Sequence, residues 1–403
     1  MSLSRTVFRT LPLTAAMALA FVTNAQAQSL VEMFDAARGY DAGFISAKAQ
    51  FEANLAKANQ TLGGILPNIA LSASAARTYS DVRYDNPAQQ PNPFVNPRLY
   101  GTGSAAVTLS QPIYRPAAWA AYRQGGYLLQ QAAAQYEAAE QDLLVRVSQA
   151  YFDVLTSEDS LTLVQTQKQA VGEQLASAKR NFEVGTATIT GVRDAQARFD
   201  LASAQEIAGE NDLRIKRLAL DLAVGLSNAK PKRLANNTQL VETPKEDVNA
   251  WVSISATNSP AVRQAQLGLD IASQEVNKAT AGHKPTIDAQ VSYAGVRNDG
   301  GNSVSGTSTH VLAPSAAIVL NMPIFAGFST MYKVKEAVAL EDKARSDYEN
   351  ARRATAQATR TAYFGLVAGL SQVKAYEAAE ASSQSALDAN KLGYSVGVNI
   401  NID

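Results

Sequence analysis

The chain alternates between two hydrophobic periods. From Ser29 to about Gly63, apolar residues recur every three to four positions, at Leu30, Phe34, Ala37, Tyr40, Phe44 and Ala47. That spacing predicts one amphipathic helix. Gly63-Gly64 ends it, and Pro67 blocks continuation. The period then falls to two: Ile69, Leu71, Ala73 and Ala75 alternate with Asn68, Ala70, Ser72 and Ser74. A loop rich in Pro, Asn and Gln runs from Tyr79 to Tyr100, and a second alternation sets Ala105, Val107 and Leu109 against Ser104, Ala106, Thr108 and Ser110. Strands of about ten residues cross a bilayer when tilted. An apolar face opposed by small polar residues suits a water-filled membrane barrel, although a soluble sandwich strand reads similarly. Pro112 and Pro116 are expected to close the second strand, with Tyr114 and Trp119 beside them as candidate membrane-interface aromatics.

From Ala117 to about Phe182 no proline occurs. A helix of that span would extend about 100 Å at ~1.5 Å per residue, so it must supercoil with neighbours or wall a tube. Phe182-Glu183-Val184-Gly185 through Thr190 predicts a tight reversal, and helix resumes from Gly191 to about Leu222. Residues 226–258 are rich in Asn and Pro and read as a linker, with Trp251 expected against a helix wall. The plan then repeats. A helix from Pro260 to Ala281 precedes a strand carrying Ile287, Ala289, Val291 and Tyr293 on one face. A Gly- and Ser-rich loop leads to a last strand with Ala316, Ile318, Leu320 and Met322, then to a long helix from about Thr330 to Leu392. Phe325 and Phe328 stand where Tyr114 and Trp119 stand in the first half.

The repetition shows at four matched landmarks. Phe182-Glu183-Val184-Gly185 returns as Tyr394-Ser395-Val396-Gly397, and Ala150-Tyr151-Phe152 as Ala362-Tyr363-Phe364, both 212 residues on. Ser110 to Tyr114 returns as Asn321 to Phe325 at 211, and Leu66 to Ile69 as Lys284 to Ile287 at 218. Four landmarks in one order mean an internal duplication. The equivalent of Gly225 would lie 212 residues further on, beyond Asp403, so the chain reads as truncated within its second module.

Composition narrows the class. Thirty-six basic and 36 acidic residues give no basic face for nucleic acid. The absence of cysteine excludes disulfides, thiolate metal sites, thiol nucleophiles and a lipoprotein anchor. Residues 1–27 read as a cleaved export signal: Arg5 and Arg9, an apolar run from Leu11 to Val22, then Ala25-Gln26-Ala27. No later run offers the ~20 apolar residues of a spanning helix. His283 precedes Pro285 and His310 falls in the Ser-rich loop; neither has metal-ligand spacing, so both are expected to be ordinary solvated or capping residues. No catalytic set, metal site or cofactor loop emerges, and an enzyme is not expected.

Four strands cannot close a membrane barrel, which needs at least about eight. An open sheet in lipid leaves edge groups unsatisfied at several kcal/mol each, so a membrane protein of this kind must oligomerise. Its helices would continue below the bilayer as a tube, and the whole would be a conduit. The second reading is a periplasmic coiled-coil adaptor or scaffold without a pore.

The Leu-Pro strand start, the Gln-Pro-Ile-Tyr and Met-Pro-Ile-Phe strand exits, the paired Ala-Tyr-Phe and the Phe-Glu-Val-Gly with Gly-Tyr-Ser-Val-Gly together resemble the TolC-type outer-membrane efflux proteins over 28–403. The resemblance implies a mainly α fold with a small β part, in two tandem modules of long antiparallel helices plus two strands. Three copies would share an outer-membrane β-barrel above a periplasmic α-barrel. Within that frame 28–65 and 259–283 are periplasmic helices, 66–113 and 284–324 are strands with extracellular loops, 114–225 and 325–403 are α-barrel segments, and 226–258 is equatorial. The implied partners are a periplasmic adaptor and an inner-membrane pump or ABC transporter, and the implied cargo is drugs or proteins. The resemblance also implies a periplasmic gate. Tyr394 matches the family's gate tyrosine and Asp403 the first aspartate of its entrance ring. Asn399 stands in place of the family arginine, and Gly191 in place of its aspartate partner, which leaves Arg193 or Asp194 as substitutes.

Overall fold

The computed structural model describes residues 27–83, 85, 86, 88, 96–234, 247–302 and 305–395, with residues 394 and 395 described by backbone alone. The proposed signal therefore lies outside the described residues, apart from Ala27. The elements in order are α1 (Leu30–Tyr40), α2 (Ala42–Gln60), β1 (Asn68–Ser80), β2 (Arg98–Tyr114), α3 (Pro116–Glu183), α4 (Ile189–Val224), α5 (Val248–Asn258), α6 (Pro260–Thr280), β3 (Thr286–Asp299), β4 (Thr309–Asn321) and α7 (Ser329–Ser395). They divide into two units, one of 27–46 with 139–234, the other of 47–138 with the described part of 247–395.

The first unit packs α1 and α4 on the second part of α3. Ser29 opens α1 with a reciprocal cap: its N–H donates to Glu32 Oε2 at 2.8 Å, and the Glu32 N–H donates to Ser29 Oγ at 3.3 Å. The single N-terminal helix expected from periodicity is two helices. The chain leaves helical geometry at Asp41 (ψ 114°). The Asp41 carboxylate then accepts the Phe44 N–H at 2.7 Å and two bonds from Arg146 of α3 at 2.9 and 3.2 Å. That guanidinium, with the amide behind it, holds the Asp41 carboxyl below its ordinary range.

Between α3 and α4 the reversal is built from Gly185, whose φ of +79° suits glycine, and from Thr188, whose hydroxyl accepts the Gly191 N–H at 3.3 Å. The α3–α4 contact carries a ladder of polar links: Lys216 to Asp153 at 3.0 Å, Arg217 to Glu158 at 2.8 Å, Ser157 to Asp212 at 2.7 Å, and Lys168 to Glu206. Met33, Leu143, Val147, Val154, Leu220 and Val224 are fully buried between these helices. Gly225 ends α4 in the left-handed region (φ +72°).

The second unit holds the sheet and a helical layer built on small residues. Ala120, Ala132, Ala134 and Ala279 are buried, which lets α3 and α6 approach closely. Gln131 donates to the Gln264 carbonyl at 3.1 Å and Gln264 to the Ala134 carbonyl at 3.2 Å, a reciprocal pair across that contact. Helix α7 packs along α5 and α6, and Ala337 is its one buried residue among those described. The stretch read as a linker, 226–258, contains α5, with Trp251 half exposed on it.

The sheet is antiparallel in the order β1-β2-β3-β4. Two expectations are corrected here. Pro112 does not close β2, which runs on to Tyr114 with a register shift between the two residues, where proline supplies no ladder N–H. His310 is not in a loop; it lies on β4 opposite Arg297.

Candidate functional site

Outside the register shift between Pro112 and Tyr114, the registers sort the strand residues onto two faces. Ile69, Leu71 and Ala73 pair with Leu109, Val107 and Ala105. Val107 and Leu109 pair onward with Tyr293 and Val291, and those with Pro314 and Ala316. Ile318 and Leu320 extend the same apolar face opposite Ala289 and Ile287. Nothing among the described residues covers it: Leu71 and Ile318 are each 75 % exposed and Ile69 is 72 %. The opposite face carries Asn68, Ser72, Ser74, Ser104, Thr108, Ser110, Gln290, Ser292 and Ser315. Strand parity alone makes this division, so a slip of one residue would invert it. Strands β1 and β4 each pair on one side only among the described residues, so the sheet ends in two open edges.

The duplication is reproduced rung by rung. All thirteen β1–β2 pairs, from Asn68↔Ser110 to Ser80↔Arg98, become the thirteen β3–β4 pairs, from Thr286↔Asn321 to Asn298↔Thr309. The shift is 218 residues on the first strand and 211 on the second, the offsets the sequence landmarks carry. The polar face repeats its chemistry at the same rung, where hydroxyls of Ser74 and Ser104 meet at 2.8 Å and those of Ser292 and Ser315 at 2.7 Å.

At the helix-side end of the sheet one ion pair joins β3 to the start of α3. Arg115 holds Asp288 through Nε at 2.7 Å and Nη2 at 2.8 Å. Asp288 is 7 % exposed, and no sequence motif pointed to it. The four predicted interface aromatics sit at this same end and are all exposed. Trp119 stacks edge-on against Tyr122 with centroids 6.2 Å apart, and Phe325 against Phe328 at 5.4 Å. Tyr114 ends β2 without joining either pair. A cleft of about 270 Å³ lies beside Phe325, Phe328 and Met331, with His283 at its wall. No cluster of three His, Asp or Glu able to hold a metal occurs among the described residues.

The proposed gate residues are only partly within view. Asn399 and Asp403, and the side chain of Tyr394, lie outside the described residues. Gly191 is committed to the α4 cap through its N–H. Asp194 pairs within its own helix with Arg198 at 3.1 Å, while Arg193 is exposed beside it.

Long helices joined to one exposed, two-faced antiparallel sheet are a fold that known proteins share. The sequence matches the family model described as outer membrane efflux protein over residues 35–226 and 251–403. The chain belongs to that family. It is 30 % identical over 396 residues to the outer membrane protein TolC of Vibrio cholerae, covering 98 % of this chain and 87 % of that one. It is 26 % identical over 382 residues to the alkaline protease secretion protein AprF of Pseudomonas aeruginosa, covering 94 % and 78 %. The fold matches the Campylobacter jejuni CmeC outer membrane channel with a TM-score of 0.74 at 18 % identity, over 92 % of this chain and 77 % of that one. The chain is an outer-membrane channel protein of the export class, and its relatives are channel and secretion proteins.

Proposed function

We propose that this protein is a passive exit duct: three copies close one outer-membrane barrel of twelve strands, and their helices continue it through the periplasm. The observation that carries the reading is the four-stranded sheet with one bare apolar face, one small-polar face and two open edges. Such a sheet is stable in lipid only when copies pair edge to edge. The apolar face then meets acyl chains, the serine-rich face lines water, and Tyr114, Trp119, Phe325 and Phe328 sit at headgroup level. Strand segments 66–113 and 284–324 form the barrel, the long helices the periplasmic tube, and residues around 226–258 its equator.

Relatives named for efflux and for protease secretion support a cargo of drugs or of proteins. Similarity to them also supports coupling through a periplasmic adaptor to an inner-membrane pump or ABC transporter that supplies the energy. The adaptor-without-pore reading gives the two-faced sheet no role. Closure of the periplasmic end works here without the arginine–aspartate link, since Asn399 and Gly191 occupy both positions. The test is conductance in planar bilayers with the oligomer's mass measured in detergent. A trimer conducting stable single-channel current is expected, and a monomer or a silent oligomer refutes the duct. In the same assay Asn399→Arg combined with Gly191→Asp should lower the closed-state conductance; no change would mean that the missing link is irrelevant to gating.

A further inference from the structure

The duplication fixes more than the family: it specifies how one copy's β4 meets the next copy's β1. Mapping with offsets of 218 and 211 converts the β1–β2 register into the β3–β4 register without one exception. The β2–β3 junction inside the chain is therefore the template for the junction between the two open edges, β4 and the neighbour's β1. Applying the same offsets to the observed β2–β3 pairs, we infer that Ile318 lies opposite Ala75 of the adjoining copy, Val319 opposite Ser74 and Leu320 opposite Ala73. These are the images of Val107↔Tyr293, Thr108↔Ser292 and Leu109↔Val291. This rests on the barrel reading above and adds the register to it.

Two features of the chain support the assignment. Face parity survives: Ile318 and Leu320 belong to the apolar face, as do Ala75 and Ala73, so the lipid-facing surface continues unbroken across the seam. Bulk is complementary too, because the two large β4 side chains meet alanines, whereas a two-residue slip would set Leu320 against Leu71 in one direction or Ile318 against Arg77 in the other and lose part of that fit. The seam lacks one contact of its template. The images of Arg115 and Asp288 are Ala326 and Ala70, so the ion pair that ties β3 to α3 has no equivalent between copies.

Because the 403 residues include no cysteine, disulfide cross-linking reads this register directly. Directly opposed residues in an antiparallel ladder have Cα atoms about 4.5–5.5 Å apart, within disulfide range. Diagonal neighbours, at about 7–8 Å, fall outside it. Ser74→Cys with Val319→Cys, and independently Ala75→Cys with Ile318→Cys, should each give a reducible covalent ladder on oxidation that survives boiling in SDS. Ser74→Cys paired with Ala317→Cys or Asn321→Cys should not. If a shifted pair links and the predicted pairs do not while the protein still forms a conducting oligomer, the register is wrong and the duct stands. If no pair links and the protein is monomeric by mass, the duct falls with it.

Discussion

Deleting the Arg115 side chain should be among the more damaging single changes at the sheet's helix-side end. Asp288 is nearly buried and both of its oxygens are held by one guanidinium, at 2.7 and 2.8 Å. Removing the partner of a fully buried charge costs about 3–5 kcal/mol, and an exposed pair about 0–1. The Arg115 side chain is 43 % exposed against 10 % for Asp288, which places Arg115→Ala between these limits, at about 2 kcal/mol. The reverse change should be milder. Asp288→Ala leaves a guanidinium that can turn to water, whereas Arg115→Ala leaves a carboxylate that cannot. The double variant should therefore resemble Asp288→Ala and fall well short of the two losses added together. Thermal melts followed by circular dichroism in detergent would show this as a drop of about 2–6 °C for Arg115→Ala. Equal losses from the two single variants, or simple additivity in the double, would refute the reasoning.

Further outcomes follow from other contacts. Gly225→Ala should destabilise by about 2–3 kcal/mol, because alanine is strained at φ +72° and its Cβ would stand 2.2 Å from the Tyr40 ring; an unchanged melt would contradict this. The Asp41 carboxyl titrates below its unfolded value, so the stability its pair with Arg146 adds is complete above the ordinary carboxylate range and is lost as pH falls through the folded pKa. The melting gap between wild type and Arg146→Met should accordingly narrow as pH falls below the ordinary carboxylate range, and a gap that stays constant on that descent would be the wrong result. Ala70→Asp combined with Ala326→Arg would install the missing ion pair between copies and should raise the temperature at which an SDS-resistant oligomer dissociates. Either substitution alone should fail to do so.

The parts legible in the sequence were those written as long uniform patterns. Helices α3 and α7 need only sustained helix-favouring composition without proline, and the strand faces follow from strict alternation. What stayed hidden depends on contacts between distant residues. The break at Asp41 interrupts a spacing that continues through it, because the carboxylate is recruited by Arg146, 105 residues away. Helix α5 has the poor helix formers Val248, Asn249, Val252, Ser253 and Ile254, and it forms where α6 and α7 can pack on it. Strand β2 passes Pro112 because a bulge absorbs the missing donor. Strand β4 reaches back to His310 because β3 is already there to pair with. The Arg115–Asp288 contact joins positions 173 apart, and no local motif announces it.

The central claim is that odd and even positions of these strands face different solvents. Single cysteines placed in turn from Asn68→Cys to Ala75→Cys, spin-labelled and reconstituted into liposomes, report it by accessibility to dissolved oxygen against a water-soluble nickel chelate. The account predicts a period of two, with 69, 71, 73 and 75 open to oxygen and 68, 70, 72 and 74 open to the chelate. A flat profile, or serine positions facing the acyl chains, would contradict it.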